Sequence, residues 1–406
     1  MTRKHTVVVV GGGYAGTMAA NRLTQRDDVA VNLINPRSEF VERLRLHQFV
    51  SRTDDAEVDF KDILSEKVSL TVDTATRIDA GGRRVELESG GTLGYDYLIY
   101  AVGSGSAAPA VPGAAEHAYP LSTIDDAHRL RTIVDAAPAT AALTVVGAGA
   151  TGVETASELA EAGRRVTLVC GGDLNPYLHA KGRRSVAKRM AKLGVTVLDG
   201  PGTKVAEVKG RSVLLENGQV VRSDVTVWTA GFGVPDLAVR SGLTTDSVGR
   251  LVTDESLVSV DDDRLFAAGD SASPSGLPLR MAAGTALPLG MTAADTILSR
   301  LAGESPGKAS IRFTAQCLSL GRSGGLFQFA DKGDNAIGVH IGGRAGAKVK
   351  EMVVKHTVGA LEGEGRKPGS YTWKFKDAKR EALVEAEGFD KGSAATADSA
   401  GEEGGK

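Results

Sequence analysis

Several large functional classes are poorly served by this chain, because the residues they depend on are scarce. Its 406 residues include only two cysteines, Cys170 and Cys317, far apart in the sequence. A disulfide-stapled secreted domain is therefore excluded, and a reducing, cytoplasmic setting is expected. No apolar run approaches the roughly 18 residues that a spanning helix needs. The apolar N-terminal stretch breaks at three glycines and lacks a small-residue cleavage site, so no signal peptide is expected either. The formal net charge is −2 and no long block of one sign occurs, which leaves no field to gather nucleic acid. Aromatics make up only 5% of the chain, and no metal site is expected.

Glycine and aliphatic residues are plentiful. With 51 glycines and 42% hydrophobic residues, the chain is long and apolar enough for two or three globular domains. The glycines are concentrated at informative places. "VVVVGGGYAG" runs an apolar strand into Gly11-x-Gly13-x-x-Gly16, and "VVGAGATGVE" does the same at Gly147-x-Gly149-x-x-Gly152. Each is followed by helical apolar spacing and a second strand, "VAVNLIN" and "RRVTLVC", so each lies in a βαβ unit. Period-two alternation with glycine turns then predicts a small antiparallel meander after each unit, so whole domains are duplicated.

In such a loop the first glycine permits a tight turn, the second admits a pyrophosphate to the backbone, and the third allows close helix–strand packing. The helix N-terminus supplies unpaired N–H groups and a positive dipole end. Two such sites in one chain suit FAD and a reduced nicotinamide dinucleotide, between which hydride can pass. "LFAAGD" ends at Asp270, whose carboxylate suits the ribityl chain of FAD, and its strand is expected to rejoin the first domain. The expected fold is therefore α/β, with two Rossmann-like dinucleotide-binding domains, the second inserted in the first, and a C-terminal capping region. Its boundaries are residues 1–110 and 234–305 for FAD, 111–233 for NADH or NADPH, 306–385 for the C-terminal region and 386–406 for a disordered tail.

The order GGGYAG, YDYLIYAVGS, VVGAGATGVETASEL, TAGFGVP, LFAAGDSA resembles the two-dinucleotide-binding-domain flavoproteins over about residues 5–300. "FTAQCLSLGRSGGLFQF" and "FVERLRLHQ" are similar to the branch of type II NADH dehydrogenases and apoptosis-inducing-factor-like proteins. The resemblance implies Gly11, Gly13 and Gly16 at the FAD pyrophosphate, Asn35 and Arg37 near the adenosine ribose, and Ala75 facing the adenine. It also implies Gly103 at the flavin phosphates and Asp270 on the ribityl chain. Gly147, Gly149 and Gly152 would hold the nicotinamide dinucleotide, Glu154 would point toward the nicotinamide–flavin contact as the catalytic candidate, and Gly231 would line that groove. Arg43, Arg45 and His47 fall near the flavin and acceptor pocket, where Arg43 is a candidate flavin contact and His47 a candidate general acid.

The chain also departs from the family's pattern. Asn35 stands where an acid usually bonds the ribose, and Cys170-Gly171 replaces the acid of the second domain. Without a carboxylate there, NADPH is no longer excluded, and Lys181, Arg183 or Arg184 are within reach of a 2′-phosphate. No cysteine pair follows the first loop, which argues against a dithiol relay. The helix after Asp270 has Ala and Gly where type II dehydrogenases carry glutamines, and Pro288 is expected to interrupt it. The acceptor is thus a quinone or another small molecule, with a soluble tailoring reductase and a redox-sensing binding protein as rival readings. Residues 345–380 carry nine Lys or Arg against four acids, and Val349, Met352, Val353, His356 and Ala360 form one helical face. Packing on the body, a homodimer and, with Trp373 and Phe375, a peripheral contact at the inner face of the membrane all stay open.

Overall fold

A computed structural model describes residues 4–107 and 109–389. Two five-stranded parallel sheets dominate it. The first runs in the order Leu265–Ala267, Tyr97–Tyr100, His5–Val10, Val29–Asn35, Val68–Val72. The second runs Ala118–Pro120, Val225–Trp228, Ala142–Val146, Arg165–Val169, Thr196–Leu198. In both, the strand feeding the glycine loop is central, covered on both faces. Hence the unbroken valine run, in which Val7, Val8 and Val9 have no exposed surface. Strand Leu265–Ala267 pairs in the first sheet, so the second unit lies between two of its strands in chain order. The chain leaves and returns through a short antiparallel ribbon, Gly105–Ser106 with Phe232–Gly233. Each unit carries a three-stranded antiparallel meander, Ala75–Asp79 to Thr92–Gly94 and Val205–Lys209 to Val220–Arg222.

After the helix Ala283–Ala302 comes a third antiparallel sheet, Ala315–Ser319, Gly325–Ala330 and Ala336–Gly342, then the 24-residue helix Gly343–Arg366. This capping element touches both units. Asn21 of the helix Tyr14–Leu23 donates to the Leu361 carbonyl, and a Cβ on Gly182 would meet the Gln328 side chain at 2.2 Å.

Three expectations need correction. Pro288 does not interrupt its helix, which is continuous from Ala283 to Ala302. Lying in the second turn, it removes one ladder bond, to the Gly284 carbonyl. Its ring is buried, and at Gly290 the helix backbone approaches Ala15 so closely that a Cβ would stand 2.1 Å from the Ala15 oxygen. The C-terminal helix does not bury the face of Val349, Met352, Val353, His356 and Ala360. It buries Gly346, Lys350, Val354, Thr357, Leu361 and Glu364 and leaves Met352 63% exposed. Two charged residues sit in that stripe because each has a partner of opposite charge, the buried Glu154 for Lys350 and the partly buried Arg22 for Glu364, which hydropathy alone does not reveal. The helix Arg380–Glu387 extends into the segment expected to be disordered, of which 390–406 lie outside the described residues.

Candidate functional site

Both glycine loops have the geometry that a pyrophosphate requires. Gly11 and Gly147 adopt φ of 102° and 115°, and a Cβ on Gly16 or Gly152 would lie 1.8 Å from the carbonyl oxygen of Gly11 or Gly147. The middle glycines differ. A Cβ at Gly13 or Gly149 meets nothing within 4 Å, so the backbone there faces open space. Each is the N-cap of its helix, and neither helix has a side-chain cap, which leaves first-turn N–H groups free for an anion. The two cradles fit the diphosphates of FAD and a nicotinamide dinucleotide.

Around the first loop the structure gathers several expected residues. Ser104, next to Gly103, donates to Asp270 Oδ2 at 2.6 Å, and Arg43 donates to Ser104 Oγ at 3.0 Å while its guanidinium lies 3.8 Å from Asp270. Asn35 spends its side chain on bracing the loop. It accepts from the Gly12 N–H at 3.0 Å and donates to the Arg37 carbonyl at 2.8 Å. The Arg37 side chain turns to Asp125. Ala75 is buried at the start of its meander, next to the Asp73 N–H that bonds the Asn35 carbonyl. Around the second loop, Thr229 donates to the Val146 carbonyl, and Gly231 follows it at φ 83°, beside Ala107 just after the first ribbon strand. Of the cations near the nicotinamide loop, Arg183 pairs with Asp173.

Glu154 is held at the junction of three segments. Its Oε1 accepts from the Ser319 N–H at 2.8 Å and lies 2.9 Å from Lys350 Nζ, while Oε2 is 3.9 Å from His47 Nδ1. All three side chains are sealed from solvent, with exposures of 6%, 6% and 3%. Burial alone would push the Glu154 pKa up, but Lys350, His47 and the Ser319 amide together hold it below the usual carboxylate value. Burial likewise opposes the Lys350 charge, and Glu154 overrides it and raises the pKa. His47 is pushed down to about 4, chiefly by burial and despite Glu154, so the imidazole is neutral at physiological pH. One turn on, Glu158 is 1% exposed and accepts from Thr53 Oγ1 at 3.2 Å. Burial pushes its pKa up to about 7.

Arg45 stands apart from the flavin cluster, binding Glu42, Asp54 and Glu351. Cys170 and Cys317 are both free and occupy different charge environments, Asp199 and Asp173 against Lys350 and Glu154. Sequence reasoning missed Ser104, Ser319, Lys350 and Glu158. Only Lys350 left a trace, as a cation in register with Val354 and Leu361.

Residues 5–287 match the pyridine nucleotide-disulphide oxidoreductase family. The chain is 32% identical to an NADH dehydrogenase-like protein of Mycobacterium tuberculosis, over 67% of this chain and 73% of that one. It is 29% identical to the type II NADH:quinone oxidoreductase of the same organism, over 82% and 78%. Among solved structures it superposes on NDH2 from Plasmodium falciparum in complex with NADH with a TM-score of 0.74, at 15% identity and covering 92% of this chain and 100% of that one. The sulfide:quinone oxidoreductase of Aquifex aeolicus gives a TM-score of 0.72 at 18% identity, over 94% and 95%.

Proposed function

The chain belongs to the pyridine nucleotide-disulphide oxidoreductase family and is an NAD(P)H-dependent flavoprotein oxidoreductase of the NADH dehydrogenase-like kind, and we propose that it reduces a quinone with a proton held at Lys350, whose charge Glu154 maintains. Bound FAD and NAD(H) supply the redox chemistry, the transfer of hydride from nicotinamide to flavin and of electrons onward. The protein's own residues position and charge. Gly11, Gly13 and Gly16 would seat one diphosphate and Gly147, Gly149 and Gly152 the other. Asp270, set by Ser104 and Arg43, would take the ribityl hydroxyls, with Gly103 beside the flavin phosphates. Asn35 would shape the loop that Arg37 and Ala75 flank on the adenosine side, and Gly231 would line the nicotinamide groove.

The buried Glu154–Lys350 pair carries the acceptor reading. Converting a quinone to a quinol consumes two protons with two electrons, whereas a one-electron protein acceptor needs none. Lys350 Nζ is a charged donor in a largely buried site, and Glu154 keeps it charged. Lys350 also lines an outward cleft, through which a proton is restored from solvent. Among the described residues no helix is long and apolar enough to cross a membrane, and this reading has the chain reach a membrane-borne quinone as a peripheral protein at the inner face.

Stopped-flow absorbance tests it. NADH should bleach the flavin, and a soluble short-chain quinone should restore the colour. Lys350→Met should slow the second step by at least about tenfold, within the usual contribution of a positioned proton donor, and the first by much less. Reoxidation by quinone at the wild-type rate in that variant would sink the assignment of Lys350. Turnover with other acceptors but not with any quinone would sink the quinone.

A further inference from the structure

On the outer side of Lys350 lies a cleft of about 430 Å³ lined by Gln48, Arg322, Arg344, Lys348, Lys350 and Glu351, among others. It contains no residue of either glycine loop, nor Asp270 or Gly231. It flanks the C-terminal end of the helix Ala150–Glu161, where Glu161 accepts from the Arg322 N–H, whereas the nicotinamide loop lies at that helix's other end.

The charges lining this cleft are badly matched. Four cations face one carboxylate, Glu351, which Arg45 and Arg322 share, and Arg322 also pairs with Asp54. Lys350 is matched by Glu154, but among the described residues neither Arg344 nor Lys348 has an ion-pair partner. Both are exposed and stand four residues apart in the first two turns of the helix Gly343–Arg366. Like charges at that spacing repel, and cations at a helix N-terminus oppose its dipole. Gln48 is 2% exposed. Its carbonyl is taken by Arg45, and its amide nitrogen has no partner among the described residues. Two unpaired cations at a repelling spacing, one of them in the first turn of a helix, and a nearly buried amide without a partner are reconciled in this cleft by a bound anion.

We propose that this cleft binds a small phosphoryl-bearing anion of the diphosphate class, held by the Arg344 guanidinium and the Lys348 ammonium. The Arg344 fork suits two phosphoryl oxygens, and the Gln48 amide completes the donor set. The volume suits a ligand larger than a lone phosphate. A soluble diphosphate and a lipid headgroup share this chemistry.

The test uses the flavin-loaded full chain with NAD+ saturating the second glycine loop, and it reads binding, so it does not depend on the acceptor. Inorganic pyrophosphate is titrated calorimetrically at low ionic strength, and cosedimentation is measured with phosphatidylcholine vesicles with and without phosphatidylglycerol. We expect saturable one-to-one pyrophosphate binding, weakened at least about tenfold in the Arg344→Ala/Lys348→Ala double variant and unchanged in Lys209→Ala, an exposed cation of the second meander. Both replaced side chains are exposed, and equal flavin content checks the fold. Anionic-vesicle binding that pyrophosphate displaces and the double variant loses identifies a headgroup, and pyrophosphate binding with no vesicle binding identifies a soluble anion. Absence of saturable binding of either probe, or binding that the double variant retains, overturns the proposal.

Discussion

Replacing Glu154 by glutamine strands the Lys350 ammonium in a site with almost no water, and the cost can be worked from the geometry. Breaking a buried pair by removing one partner costs about 3–5 kcal/mol, because the remaining charge keeps its desolvation penalty. Glu154→Gln should sit near the upper end, since Arg45 also repels Lys350 and the neutral His47 ring cannot offset its charge. Lys350→Met should cost less. Glu154 then keeps the Ser319 N–H at 2.8 Å, and His47, 3.9 Å away, loses a repelling neighbour and can take up a proton. An imidazolium at that distance returns about 4 kcal/mol of attraction at an effective dielectric near 20, offset by the work of charging a buried ring. We expect Lys350→Met to cost about 2 kcal/mol, and the double Glu154→Gln/Lys350→Met variant less than either single, because both charges are gone. Urea unfolding followed by circular dichroism measures the cycle, and the His47 titration by NMR tests the compensation. The pH window has two edges. Glu154 has a lowered folded pKa, so its contribution is present above the unfolded value of 4.5 and is lost as pH falls through the folded one. Lys350 has a raised one, so its contribution is present below 10.5 and is lost as pH rises through the folded value. Singles that each cost under about 1 kcal/mol and add in the double variant would refute the reasoning, because a sealed pair cannot behave that way.

Glu158 should act oppositely with pH. Its folded pKa of about 7 lies above 4.5, so the folded state binds more protons between those values and its contribution to stability declines as pH rises. Glu158→Gln should therefore stabilise the chain by up to about 3 kcal/mol at pH 8 and be near neutral at pH 4; equal effects at both pH values in thermal melts would contradict the raised pKa. The glycines of the second loop should separate folding from binding. Gly152→Ala places a methyl 1.8 Å from the Gly147 oxygen and should destabilise the unit outright, while Gly149→Ala meets nothing within 4 Å and should leave the melting temperature unchanged. Flavin reduction at limiting NADH should nevertheless slow at least about tenfold in Gly149→Ala, and a wild-type rate there would remove the pyrophosphate from that loop. Asp270→Ala should lower retained flavin more than Ser104→Ala, which removes one hydrogen bond worth about 1 kcal/mol, and ultrafiltration with absorbance measures both. Full flavin retention in Asp270→Ala would refute its role.

The parts of this molecule that were readable from sequence are those whose physics is local. A valine run ending in Gly11-x-Gly13-x-x-Gly16 can do little except enter a parallel sheet and turn tightly, and its second copy repeats the instruction. Alternation with glycine turns identified both meanders, and the short apolar strand before Asp270 was correctly returned to the first sheet. Even the Pro288 error is informative: one lost ladder bond was weighed as a break, when Gly290 against Ala15 supplies the close helix contact that keeps the segment helical.

What could not be read were partners chosen across the fold. Lys350 lies 196 positions from Glu154 in the chain, and nothing in "AKVKEMVV" separates it from the exposed Lys348 two residues before. The hydropathy pattern actively misleads, because it assigns Met352 to the core and both lysines to water. The same limit applies to Asn35. Expected near the adenosine ribose, its side chain also ties Gly12 to Arg37, a role that depends on where two loops meet. These two residues share a cause. A polar side chain inside a protein is stabilised by its particular partner, so its burial is a property of the pair. A pair drawn from different elements is set by how those elements meet, and here that makes the capping element part of the site. If Glu154 and Lys350 serve the acceptor, then the C-terminal helix is required for the second half-reaction and dispensable for the first.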